Sequence, residues 1–335
     1  MKKELTLSTS PFLHDSASTK WIMFQVIYAL LPVIAAATFF FGLSALLLIA
    51  VSVMACLITE RMFTKTRQQE ASSLKDGSAV ITGILLALTL PPGFPLWMAF
   101  IGGVAAIGMG KMIWGGLGQN IFNPALLGRA FLQSAFPTAI TTWSVPDGRY
   151  FGLRGTNLAM PFFQGESLDA VTTATPLALM KFQQEGTEWL SLLVGNTSGS
   201  LGETSAALLM LAGVYLGIRR VFDWRIPLSI ILTVFLLSGV FYLINPERFP
   251  SPDFMLLSGG LLLGAVFMAT DPVTSPYTSK GIWYFGFGIG FLVVLIRLFG
   301  GLPEGVMYAV LLMNSVTPLL NKYTRRRVYG HLKNG

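Results

Sequence analysis

Residues 169–175 read Asp-Ala-Val-Thr-Thr-Ala-Thr and run into Pro176 and a helix-like apolar stretch, Leu177 to Phe182. Thr175 therefore stands at the N-terminal edge of a helix, where two kinds of chemistry suit a threonine. The plainer is an N-cap ahead of a proline at the first helical position. The other is phosphate chemistry, because unpaired N–H groups at a helix start hold anions and a hydroxyl among them can accept a phosphodiester. The pattern by itself leaves both open. A second set of candidates is polar and lies in, or at the edge of, apolar runs: Asn120, Asn123, Arg129, Glu203, Asp271, Arg297 and Glu304. Ionisable residues inside a membrane usually mark a functional path. Glu203 and Glu304 also read as helix-start carboxylates, and Arg297 as a cation snorkelling from a span end. Arg129 and Asp271 lack so simple a reading and are candidates to line a polar cavity. Metal chemistry has little to work with. The single cysteine, Cys56, sits in an apolar run, and His14 and His331 are far apart. An internal disulfide and a multi-cysteine cluster are excluded, and Cys56 reads as a small buried hydrophobe.

The elements that must position these residues are membrane helices. Of the 335 residues, 53% are hydrophobic and 12% charged, with a mean hydropathy of +0.63. Soluble domains carry about 25% charged residues, so this composition excludes a cytosolic enzyme, a nucleic-acid binder and a disordered chain. Apolar runs long enough, or nearly so, for a span of about 20 residues occur at 21–42, 43–59, 78–91, 96–110 and 121–136. They resume at 205–218, 226–244, 254–269, 282–299 and 306–320. This predicts an all-α polytopic membrane protein of about ten transmembrane helices, several of them short and broken by Gly and Pro. The expected organisation is a cytoplasmic segment 1–20, a five-helix unit 21–136, an interval 137–200, a second five-helix unit 201–321 and a basic cytoplasmic tail 322–335.

The formal charge of +7 acts as a topology marker. With the N-terminus inside, the outer segments hold only Arg149, Arg154, Lys181 and Arg248. Apart from Arg129 and Arg297 within spans, all other Lys and Arg fall inside, Lys111 among them, as the positive-inside rule requires. The interval 137–200 then lies on the outer face and is too long for a plain connector. The halves also resemble each other. Gly83, Thr89 and Pro91 precede Gly264, Thr270 and Pro272 by 181 residues, and Gly115-Gly116-Leu117 precedes Gly300-Gly301-Leu302 by 185. Five spans per unit is odd, so the second unit enters upside down, an inverted repeat whose broken helices meet near the midplane.

These motifs resemble one family. Asp169 to Thr175 is similar to a flavinylation motif, Asp-x-x-Ser/Thr-Gly-Ala-Thr, to which Asp169, Thr172, Ala174 and Thr175 correspond; Thr173 departs from it, since glycine is usual there. Gly115 to Ala125, Gly199 to Ser205 and Ala269 to Pro276 fit the same family in order. It is the NqrB/RnfD family, which takes in the RnfD component of the Rnf electron transport complex and the NqrB component of the sodium-pumping NADH:quinone oxidoreductase. The short stretch ahead of Trp21 suits the Rnf branch better. The resemblance implies a bacterial inner-membrane subunit of a redox-driven ion pump, not catalytic alone. It would work with the other subunits of the complex and the lipid bilayer. The implied cofactors are FMN esterified through its phosphate to Thr175 by a flavin transferase using FAD and Mg2+, and a second, non-covalent flavin, riboflavin, within the helices. Asn120, Asn123 and Asp271 are the expected neighbours of that second flavin, on polarity and the repeat. A channel or secondary transporter for a small solute would use the same repeat, but does not require the long outer interval.

Overall fold

A computed structural model describes residues 18–66, 76–144, 154–160, 173–203 and 205–325. Among these residues the fold is helical throughout, with no strand. The first half comprises α1 (Thr19–Phe41), α2 (Leu43–Thr66), α3 (Ser78–Leu88), α4 (Leu96–Ile107, running into a π-helix at Gly108–Met112) and α5 (Pro124–Ala135). Between the halves lie α6 (Pro137–Ile140), α7 (Pro176–Gln183) and α8 (Trp189–Val194). The second half comprises α9 (Ala206–Ile218), α10 (Arg225–Ile244), α11 (Pro252–Leu257), α12 (Leu261–Leu263, running into a π-helix at Gly264–Met268), α13 (Ser279–Phe299) and α14 (Val306–Tyr323). Four helices, α1, α2, α10 and α13, are long and apolar enough to cross a membrane, and three shorter apolar helices accompany them.

The two halves repeat one packing plan. In the first, α2 packs on α3 and α4, and α4 on α5; in the second, α10 packs on α11 and α13, and α13 on α14. The close crossings use small residues, as helix contacts in membranes commonly do. A Cβ at Gly103 of α4 would stand 2.7 Å from Ala55 Cβ of α2, and one at Gly290 of α13 would stand 2.7 Å from Thr233 Cβ of α10. The matched threonines also behave alike. Thr89 ends α3 and its hydroxyl donates to Leu86 O; Thr270 follows the second π-helix and donates to Val266 O. The halves meet where α1 packs on α9 and α5 on α14.

Three expectations are corrected. The run 254–269 is not one helix: Ser258, Gly259 and Gly260 break it, with Gly259 at a φ of +67° that L side chains rarely adopt. Lys111 is not a solvated inside charge. It is 1% exposed, and its Nζ donates to Glu60 Oε1 (2.7 Å) and Ser78 Oγ (2.6 Å). Arg297 does not snorkel. It is 3% exposed, donating to Met255 O, Ser258 O and both oxygens of Glu304. Lys111 thus ties the π-helical end of α4 to α2 and to the first residue of α3, and Arg297 ties the end of α13 to α11 and the break after it.

Candidate functional site

Two cavities collect the polar residues. The first lies where α3, the approach to α5 and the π-helix after α12 converge. Its walls include Ser78, Thr82, Lys111, Asn120, Asn123, Thr270 and Asp271. Asn123 is the N-cap of α5, its Oδ1 accepting from Ala125 N (3.0 Å) and Leu126 N (3.3 Å), while Pro124 supplies the first helical position. Its Nδ2 donates to Met268 O (3.1 Å), stitching the first half to the π-helix of the second. Asp271 folds back on its own turn, accepting from Val273 N and Thr274 Oγ1. Asn120 is 6% exposed and its Nδ2 donates to Phe122 O, while its Oδ1 has no hydrogen-bond partner. A buried amide oxygen left unpaired costs free energy, so this wall can receive a donor from a guest. The three residues expected around a second flavin thus share one cavity, which Lys111 joins.

The second cavity is lined by Thr175, Pro176 and Leu177 from α7 and its cap, with Arg129, Gln133, Trp143, Glu203, Gly259 and Glu304. Thr175 is 8% exposed and is the N-cap of α7: its Oγ1 accepts from Ala178 N at 3.3 Å. The cap reading of the sequence therefore holds, and the hydroxyl also faces a cavity. The backbone ahead of it is tied down where Thr173 N donates to Trp143 O. Ala174 is exposed; Asp169 and Thr172 lie outside the described residues. Arg129 reaches from α5 to donate to Thr89 O, an unfilled carbonyl at the end of α3. The turn after Thr89 is itself pinned by the interval 137–200: Asn157 Nδ2 donates to Pro92 O and Phe94 O, and Thr156 Oγ1 to Gly93 O. Arg129, Glu203 and Glu304 also border a smaller cavity with Thr89 and Met268.

Sequence reasoning overlooked two anchoring lysines. Lys111 had a signal, an isolated charge in a glycine-rich apolar run. Lys181 had none. Its Nζ donates to Ile296 O (3.3 Å), Gly300 O (2.5 Å) and Leu302 O (2.9 Å), joining α7 to the turn between α13 and α14. Burial pushes this ammonium below the usual lysine range. Among the described residues no cluster of His, Cys, Asp and Glu could hold a metal ion.

A family model for the NQR2, RnfD, RnfE family matches residues 6–330. The chain belongs to this family. The D component of a proton-translocating ferredoxin:NAD(+) oxidoreductase complex from Clostridium ljungdahlii is 41% identical, covering 98% of this chain and 97% of the relative. Its counterpart in a Na(+)-translocating ferredoxin:NAD(+) oxidoreductase complex from Acetobacterium woodii is also 41% identical, over 98% and 96%. The D component of an ion-translocating oxidoreductase complex from Escherichia coli is 38% identical, over 98% and 99%. The match spans both halves of the chain.

Proposed function

We propose that this chain is the RnfD membrane subunit of a Rnf-type complex that couples electron transfer between NADH and ferredoxin to ion movement. It would carry electrons through an FMN esterified to Thr175. The observation that carries the reading is Thr175, buried yet lining a cavity whose walls also include Arg129. Near-full-length similarity to three such subunits supports the role in the complex. The residues present fit the group. A helix start and a cation suit a phosphodiester. Thr175 would hold the phosphate, Arg129 would offset its charge, and Trp143 and Leu177 would exclude water from the ring. A second flavin would sit at the first cavity, where Asn120 Oδ1 would accept from a ring N–H and Asn123 and Asp271 would bound the site. Bound flavin supplies the electron-transfer chemistry, and the protein tunes it through hydrogen bonds and charge. Buried histidine or cysteine ligands are not needed for that step. In this reading the segment 137–200 lies on the outer face of the bacterial inner membrane, both termini are cytoplasmic, and the other Rnf subunits and a flavin transferase are the partners.

The test is direct. The chain is expressed with a flavin transferase, denatured, run on a gel and examined for flavin fluorescence. A bright band that vanishes in Thr175→Val is the expected result. A dark wild-type band, or one unchanged by Thr175→Val, refutes the carrier. Solute flux through the reconstituted chain alone would favour a channel instead.

A further inference from the structure

The helix that follows Thr175 is docked at three points. At its start, the Thr175 hydroxyl caps α7 and is 8% exposed, with Pro176 buried behind it. In its middle, Leu177 is 7% exposed and packs in a cluster with Leu192 and Phe254. At its end, Lys181 fills three carbonyls of the α13–α14 turn. A cation suits those carbonyls, which close the C-terminal end of a helix. Esterification makes demands that this docked arrangement does not meet. Phosphoryl transfer needs the nucleophile, the phosphorus and the leaving oxygen roughly in line. The donor would be a flavin dinucleotide, held in the active site of a second protein that must also reach the hydroxyl. Oγ1 here is engaged in its own cap, in a residue that is 8% exposed and shares its cavity with Trp143, Glu203 and Glu304.

We propose that Thr175 is esterified with α7 undocked, and that docking of α7 through Leu177 and Lys181 afterwards seals the flavin into its cavity. The proposal rests on the Thr175 reading above. In the open form the Thr175 Oγ1–phosphorus bond forms and the pyrophosphate P–O bond of the dinucleotide breaks. AMP leaves with the bonding electron pair, and the hydroxyl proton passes to a base of the transferase; nothing is oxidised or reduced. Lys181 is a positioning residue in this scheme. It gives up part of its hydration to reach the carbonyls.

The experiment uses full-length chain made without transferase, purified in detergent, then mixed with purified transferase, FAD and Mg2+. Covalent flavin is followed in time by in-gel fluorescence. Wild type should label slowly. Lys181→Ala and Leu177→Ala should label faster, by on the order of tenfold for the loss of a charge-assisted hydrogen-bond set, whereas Lys181→Arg should stay slow. A purely structural role would slow labelling in all of them. Leu177→Cys with Phe254→Cys, in a Cys56→Ser background, supplies an independent lock: labelling should stop when the pair is oxidised and return on reduction. Equal rates for wild type and Lys181→Ala, or undiminished labelling of the oxidised pair, overturn the proposal alone. No flavin on wild type, even when the transferase is present during synthesis, overturns it together with the Thr175 reading.

Discussion

Thr175 has two roles that substitution can separate. Asparagine is as good an N-cap as threonine but cannot form the ester. Thr175→Asn should therefore melt within a few tenths of a kcal/mol of wild type and carry no covalent flavin. Thr175→Ala should lose the flavin and also about 1 kcal/mol of cap stability. Thermal melting read beside in-gel fluorescence checks both. A different residue-scale risk sits at Lys111, which is 1% exposed and pairs with Glu60 at 2.7 Å. Glu60→Leu would leave that ammonium buried without its carboxylate, and should cost about 3–5 kcal/mol. Adding Lys111→Met should recover most of it, since replacing both partners by apolar groups is often neutral. A double-mutant cycle in detergent would measure the coupling, and an additive result would refute a paired role.

At the scale of elements, each half holds its second and fourth helices together through glycine. A Cβ at Gly286 of α13 would stand 2.6 Å from Ser229 Cβ and 3.0 Å from Ile226 O of α10. Gly286→Ala should lower stability by about 1–3 kcal/mol through overpacking. Ser229→Gly in the same chain should restore part of it, because the nearer obstacle is a side chain. A melting curve that Gly286→Ala leaves unmoved would refute the close crossing. Periodicity alone could not predict this, because a glycine in an apolar run looks the same whether it faces lipid or a neighbouring helix. The broken helices were easier to foresee. Thr-x-Pro at 89–91 and 270–272 announces a helix end in both halves, and both threonines do close a helical segment onto its own carbonyls.

For the whole molecule, the charge asymmetry predicts an orientation that can be measured. Met160 is 68% exposed in the segment that pins the α3–α4 turn, and Trp224 is 56% exposed at the start of α10. With Cys56→Ser as background, a cysteine introduced at Met160 should react with an impermeant maleimide on intact cells. One at Trp224 should react only after the inner membrane is opened. The reverse pattern would invert the assignment. The molecule places its two cavities around residues from both halves: Asn123 of the first half bonds Met268 of the second, and Arg129 shares a cavity with Glu304. Neither half alone closes either cavity.

Membrane class, the all-helical architecture, the helix ends at the two Thr-x-Pro sites and the N-cap at Thr175 were all legible in the sequence, because each depends on local composition or on neighbours a few residues apart; the break at 258–260 was not. The grouping of Asn120, Asn123 and Asp271 was also foreseeable, through the repeat that juxtaposes broken helices. The Lys111–Glu60–Ser78 cluster, the burial of Arg297 with Glu304 and the docking of Lys181 on the α13–α14 turn were not. Their partners lie 51, 7 and more than 100 residues away, and an isolated cation reads the same in sequence whether it reaches water or a buried partner. Only the packing of the helices decides that, because packing determines which charges lose their water and must find another group to replace it.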